Sequence, residues 1–312
     1  MTILKLGTRA STLAMTQSET VAAWLRSETG VEVDLVPIST EGDRNADAVT
    51  DFGGQGVFIA ALRDALISGD IDIAVHSLKD LPTMPETRLV IAAMPQRVDP
   101  RDCLVARDGL TLGELPQGAR VGTGSTRREA QLNALGLGVE VVPIRGNVDT
   151  RVGKVASGEY DGVILARAGL LRLGRADEAT EVLDPLQMLP APGQGALACE
   201  CRADDAATIR LLSGLDDIDT RVAVTAERSL LATLEAGCSA PVGALAEVAS
   251  GDDGDELWLR AMVGDRSGSP TIRLSATGLL SEAAAVGERL AAEMLAEGAD
   301  TLVAVASSTP GR

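Results

Sequence analysis

Two adjacent arginines stand where a helix should begin. GARVGTGSTRREAQLNALG, residues 118–136, reads as a strand end, a glycine turn and a helix opening at Ser125 or Thr126. Arg127 and Arg128 then fall in the first helical turn, where free N–H groups and the backbone dipole favour anions over cations. Beside those N–H groups, two guanidinium groups make a trap for an oxyanion. As solvated surface cations they would instead pair with nearby acids. Other arginines recur at similar places: Arg9, Arg145 in PIRGN, Arg151 six residues on, and Arg172 in AGLLRLG stand just past expected strand ends or in the helices that follow. If the strands are parallel, these side chains converge on one rim and suit a ligand with several carboxylates or phosphates. The opposing expectation is a set of separate surface charges.

HSLKDLP, residues 76–82, ends an apolar strand. Asp80 beside Lys79 is either a surface ion pair or a lone carboxylate among arginines, able to accept an N–H bond, donate a proton or stabilise a developing cation. His76, the only histidine, reads as a buried structural residue rather than a base. Four cysteines are too few for a disulfide framework in 312 residues. Without a second Cys/His cluster, no metal site is expected. Cys103 and the Cys199/Cys201 pair read as core. Cys238, in LEAGCSAPVG between a helix end and a proline turn, reads as an exposed loop thiol. Lacking a neighbouring histidine, it is a poor protease nucleophile and a better point of covalent attachment.

The elements that must position these residues alternate. Strands are expected at 2–6, 31–38 and 71–77, with helices at 12–26 and 57–68. A second set follows: strand 119–122, helix 126–135, strand 139–144, helix 148–157, strand 161–166 and a short helix near 168–173. Such βαβ alternation implies α/β structure with helices on both sheet faces. KLGTRAST at 5–12 echoes RVGTGSTR at 120–127, which is consistent with two similar lobes enclosing a cleft beyond the strand ends. LPAPGQGALACEC, 189–201, would return the chain to the first lobe. A helical pattern at 218–236 leads into three strands (ALAEVAS, ELWLRAMVG, TIRLSATG), a helix at 281–297 and a short strand at 301–306, a small α+β third domain. The long glycine-containing loop at 42–58 is expected to be a mobile cover, and the connectors at 95–101 and 190–198 to allow domain movement.

The net charge of −17 comes with three lysines against 25 arginines. An acidic, lysine-poor surface fits a protein kept soluble by carboxylates in a salt-rich cytoplasm. It argues against nucleic acid as a partner, as do aromatics at 2% of residues. No run resembles a membrane span and the N-terminus lacks signal-peptide form, so a cytoplasmic protein is expected.

Taken together, LGTRAS, GGQGVF, DIAVHSLKDLP, DPRD (99–102), GTGSTRR, IRGNVDTR, EYDGVILA, AGLLRLG, PGQGALACECR, TAERSLL and LEAGCSAPVG resemble, in this order and spacing, the porphobilinogen deaminase (hydroxymethylbilane synthase) family over nearly the whole chain. The resemblance implies two periplasmic-binding-protein-like α/β lobes, 1–97 plus 196–214 and 98–195, and a C-terminal α+β domain with a three-stranded sheet, 215–312. It implies a monomeric transferase of tetrapyrrole and heme biosynthesis. The enzyme would condense four porphobilinogen molecules in turn, each losing ammonia, onto a covalent dipyrromethane held by Cys238 through a thioether. Water would then release the linear tetrapyrrole. By motif match, Lys79, Asp80, Ser125, Arg127, Arg128, Arg145 and Gly146 would contact that cofactor. Arg9, Ser11, Phe58, Arg145, Arg151, Arg172 and Gln194 would contact substrate, and Asp80 matches the catalytic carboxylate. Gln55 stands where the family commonly has lysine and Ala60 where a basic residue is frequent, so the loop's grip on carboxylates is expected to be weaker. Ala236 and Ser239 also depart from the usual residues around the cysteine. A competing reading is a non-catalytic two-lobed polyanion-binding protein, which needs the arginines but neither Cys238 nor Asp80.

Overall fold

The alternating strand and helix signals build two five-stranded sheets of one design. The computed structural model describes residues 3–38, 54–237, 240–251 and 254–308, the side chains of 54–58 and 304–308 excepted. Contacts divide the chain into two units, Met1–Arg97 with Ala196–Arg221 and Val98–Gly195 with Val222–Pro310.

In chain order the first stretch runs β1 (Leu4–Thr8), α1 (Thr12–Thr29), β2 (Val33–Pro37), α2 (Gly54–Ser68), β3 (Ile73–Ser77) and β4 (Leu89–Ala93). The second runs β5 (Asp102–Ala106), β6 (Arg120–Gly122), α3 (Thr126–Leu135), β7 (Glu140–Val142), α4 (Val148–Ala156), β8 (Gly162–Ala166), α5 (Arg167–Arg172) and β9 (Glu181–Val182). Then come β10 (Leu197–Arg202), α6 (Ala206–Ser213) and α7 (Ile218–Thr233), followed by β11 (Val242–Gly251), β12 (Gly254–Gly264), β13 (Thr271–Leu279), α8 (Ala283–Ala296) and α9 (Ala299–Ser308).

The first sheet has the order β2-β1-β3-β10-β4 and the second β7-β6-β8-β5-β9. In each, the three strands joined through helices are parallel, and the fourth position is filled by an antiparallel strand, β10 in the first sheet and β5 in the second. The Gly-Thr echo therefore marks equivalent places, the ends of β1 and β6. Both strands feed a helix capped by serine: Ser11 Oγ accepts from the Ala14 N–H, and Ser125 Oγ from the Arg128 N–H. Alternating side chains of β3 serve both faces of its sheet. Ile73 and Val75 pack with Val21 and Leu25 of α1, whereas Ala74 packs with Leu62 and Leu66 of α2.

Strands β11, β12 and β13 form a third, antiparallel sheet. It lies in the same unit as the second α/β sheet. Arg266 ion-pairs with Glu129 at 2.9 Å, and Leu189, Leu245 and Met262 form a shared apolar cluster. The expected strand at 301–306 is instead part of α9. TLVAVA is a short apolar run, and periodicity alone does not separate a strand from a buried helical turn. Here Ala299, Leu302 and Val303 enter the core at helical spacing. The expected cover at 42–58 lies outside the described residues as far as 53, as do the side chains of Gln55 and Phe58. Cys238 and Ser239 lie outside them as well.

Candidate functional site

In the first unit the candidate residues gather past the ends of β1 and β3. Arg9 follows β1 directly, and Ser11 caps α1. Strand β3 runs into a single 3-10 turn, Leu78–Asp80, anchored by fully buried Leu78. Lys79 and Asp80 are half-buried. Loss of solvent raises the Asp80 pKa above the usual carboxylate value, while the charges of Lys79, Arg9 and His76 pull it back down. A carboxylate so placed can accept an N–H bond when ionised and takes up a proton more readily than a solvated one. Ser77, one residue before the turn, is tied to α1 by the Gln17 Nε2 donor at 3.0 Å.

In the second unit the arginine pair is buried, not solvated. Arg127 is 3% exposed, Arg128 6% and Asp102 0%. Asp102, on β5, takes Arg127 Nη2 on Oδ2 and Arg128 Nη2 on Oδ1, both at 2.8 Å. Gln194 Nε2 donates to the same carboxylate at 2.7 Å. The remaining Nη1 groups donate to backbone, Arg127 to the Leu189 carbonyl and Arg128 to the Ile164 carbonyl. Burial alone would raise the Asp102 pKa. Arg127, Arg128 and the hydrogen bonds from Arg128 and Gln194 outweigh it and hold the carboxyl well below its ordinary range. This resolves the cations at the wrong helix end, since an internal anion neutralises part of their charge. Each Nε–H of the pair is buried and makes no hydrogen bond among the described residues.

The other arginines adjoin this cluster. Burial depresses the Arg151 pKa, and so do the charges of Arg128 and Arg145, so these three cations share one field. Arg145 is exposed at the turn before α4, and Arg151 Nε donates to the Gly146 carbonyl at 2.8 Å. Gly146 has φ +114°, and a Cβ there would lie 2.7 Å from the Thr150 side chain, so only glycine allows this turn. Arg172 donates to the Gly195 carbonyl at 2.7 Å, and burial lowers its pKa to about 10. Gly195 follows Gln194, which links Arg172 to the Asp102 cluster through the connector. Two arginines thus share one enclosed carboxylate, with Arg151 and Arg145 in the field of Arg128, a surplus of positive charge suited to a carboxylate-rich ligand.

Arg9, Lys79 and Asp80 belong to one set, and Ser125, Arg127, Arg128, Arg145, Gly146, Arg151, Arg172 and Gln194 to another. The sequence reading did not single out Asp102. The available signal was an aspartate in a strand whose five positions are all buried, because an enclosed carboxylate must find cationic or hydrogen-bonding partners. The three described cysteines are buried. Desolvation pushes Cys103 and Cys199 to about 12 and Cys201 to about 11, so they are inert thiols at neutral pH.

Residues 4–210 match the model for porphobilinogen deaminase, dipyromethane cofactor binding domain, and residues 221–296 the model for porphobilinogen deaminase, C-terminal domain. The chain belongs to the porphobilinogen deaminase family. It is 60% identical over 314 residues to porphobilinogen deaminase 1 of Streptomyces avermitilis, covering 96% of this chain and 97% of that one. Porphobilinogen deaminase 1 of Streptomyces coelicolor is 58% identical over 309 residues, with 96% and 97% covered. Porphobilinogen deaminase of Mycobacterium tuberculosis strain H37Ra is 56% identical over 306 residues, with 96% and 98% covered. A crystal structure of immunogenic lipoprotein A from Vibrio vulnificus superposes at a TM-score of 0.44 and 13% identity, over 68% of this chain and 94% of that one. The chain is accordingly an enzyme of two α/β lobes and a small C-terminal domain, with dipyrromethane as its cofactor.

Proposed function

We propose that this chain carries out the family's reaction, joining four porphobilinogen molecules with loss of ammonia and releasing hydroxymethylbilane by hydrolysis. The observation that carries the reading is the buried arginine pair on Asp102, with Arg145 and Arg151 sharing its field. Pyrroles bearing acetate and propionate groups would present several carboxylates, and the buried Nε–H groups of Arg127 and Arg128 are donors of the kind such oxygens need. The residues present therefore fit a dipyrromethane. When bound, that group supplies a free pyrrole carbon as the site of chain growth.

In this reading Cys238 is the point of attachment. Ser125, Arg127, Arg128, Arg145 and Gly146 hold cofactor carboxylates, and Lys79 and Asp80 also contact the cofactor. Arg9, Ser11, Phe58, Arg145, Arg151, Arg172 and Gln194 serve the incoming substrate. Asp80 accepts the pyrrole N–H, and its negative charge stabilises the cation that develops as ammonia leaves. Its raised pKa suits a carboxylate that also exchanges a proton during each addition. The non-catalytic alternative gives no use to Asp80 and is not favoured by the family match.

The same reading takes the chain as three domains, 1–97 with 196–214, 98–195 and 215–312, acting as a monomer in the cytoplasm. The net charge of −17 supports tolerance of a salt-rich interior. Among the described residues no helix is long and apolar enough to cross a membrane. The test is to supply porphobilinogen to Asp80→Asn. The expected protein keeps the cofactor adduct, or a partly extended form of it, and loses nearly all turnover; normal turnover would remove Asp80 from the mechanism.

A further inference from the structure

Gln131, on the second turn of α3, is a buried amide that the reaction above leaves unused. It pairs with the backbone of Leu189 much as one strand pairs with another. The Leu189 N–H donates to Oε1 at 2.8 Å, and Nε2 donates to the Leu189 carbonyl at 3.0 Å. Gripping both backbone groups of one residue fixes which way the amide points. From β13, Arg273 Nη2 donates to the same Oε1 at 3.2 Å, and Nη1 to the Leu186 carbonyl at 3.1 Å. The Leu189 carbonyl also accepts from Arg127 Nη1. A continuous line of hydrogen bonds therefore runs from β13 through Gln131 and Leu189 to Arg127.

The Arg127 guanidinium is planar, so two anchors settle where its other donors point. Asp102 Oδ2 holds Nη2 and the Leu189 carbonyl holds Nη1, which leaves Nε–H without a partner among the described residues. We propose that Gln131 is a positioning residue for Arg127: it sets the second anchor, and Arg273 steadies Gln131 in turn, so that the remaining donor is aimed at a carboxylate of the ligand. The inference rests on the reading of Arg127 as a holder of cofactor carboxylates. Asp102 alone would leave the guanidinium free to swing about its Nη2 contact. Both ends of the Gln131 amide engage the one residue that Arg127 also engages, which packing alone does not require. The same stretch of backbone is tied to the C-terminal sheet. The Pro190 carbonyl accepts from the Ala244 N–H of β11 at 2.9 Å, and a Cβ at Gly243 would lie 2.9 Å from the Leu189 Cβ. Leu189 and Pro190 thus serve both the strand that follows Cys238 in sequence and the arginine that grips the cofactor.

The experiment supplies the full-length chain, free of adduct, with graded porphobilinogen for a fixed time and reads the two-pyrrole adduct by intact mass. Gln131→Met keeps the length of the side chain and removes its amide. It should raise the porphobilinogen concentration for half-loading about fivefold or more. Arg127→Lys should raise it as well, because an ammonium cannot hold two anchors and a ligand in one plane. In the double variant the Gln131 substitution should add no further loading defect, while its cost in Tm persists. Unaltered loading in Gln131→Met, or loading defects that combine independently in the double variant, would overturn the proposal.

Arg273 is exposed, so Arg273→Met tests the line from outside the buried cluster. This variant should fold with a Tm close to the parent's and still raise the half-loading concentration about twofold, less than Gln131→Met. Loading equal to the parent's would contradict the proposal even if the buried variants fail to fold. Normal loading in Arg127→Lys is a different failure, because it removes Arg127 from the cofactor site and takes this inference with it. Normal loading in Gln131→Met beside impaired Arg127→Lys overturns the inference alone and leaves the cofactor reading intact.

Discussion

Arg127 reaches Asp102 at 2.8 Å with both groups closed off from water. Arg128 reaches the other oxygen of the same carboxylate at the same distance. One acid on β5 thus fixes two cations at the start of α3, and the pair retains net positive charge for a ligand. Removing one partner from such an enclosed group is expected to cost about 3–5 kcal/mol. Asp102→Asn should therefore unfold at markedly lower urea than the parent, and its folded fraction should carry less cofactor. Urea titration and intact mass on the same sample check this. An unchanged midpoint would mean the carboxylate is dispensable.

Acid should weaken the fold through the same group. Asp102 and Glu200 both have depressed pKa values in the folded chain. A depressed carboxyl contributes stability that is present above its unfolded value, near 4, and is lost as pH falls toward the folded value. Urea midpoints should hold from pH 7 to about 5 and fall steeply below about 4. In Asp102→Asn, already destabilised at pH 7, that fall should be shallower.

Thiol reactivity should single out one cysteine. Cys103, Cys199 and Cys201 are buried, with pKa values raised to about 12, 12 and 11. Native apoprotein treated with iodoacetamide should gain one label, at Cys238, and holoprotein should gain none. Rapid labelling of Cys199 or Cys201 in folded protein would contradict the buried assignment.

A second enclosed acid supports the connector beside Gln194. Glu227 on α7 is 0% exposed. It accepts from the Gly193 N–H at 2.6 Å and from the Ala246 N–H on β11 at 2.9 Å. Glu227→Gln must set an amide NH2 against one of these donors, a loss of about 1–3 kcal/mol. The expected result is a lower Tm together with a raised KM for porphobilinogen, because the backbone preceding Gln194 loosens. A lower Tm with KM unchanged would limit Glu227 to stability.

Much of this arrangement is legible in the chain. Ser11 and Ser125 are local signals: a hydroxyl after a Gly-Thr strand end caps the helix that follows, so α1 and α3 can be read without knowing the sheets. The topology around them is harder. Nothing near β5 or β10 in sequence says that each fills the antiparallel place beside the parallel strands of its sheet. Those placements bring Asp102 to Arg127, 25 residues away, and Glu200 to Arg63, 137 residues away. Neither acid stands out in the sequence because its partners are remote. The end of the chain failed for a different reason. TLVAVA satisfies strand and helix patterns alike, and packing of Ala299, Leu302 and Val303 decided between them.

In the proposed reaction Cys238 carries a dipyrromethane which the arginines hold and Asp80 serves. Intact mass of the purified protein, expressed where porphobilinogen is available, tests it most directly. The wild-type chain should exceed its sequence mass by two pyrrole units, and Cys238→Ala should sit at its sequence mass. A wild-type protein without the adduct would contradict the account.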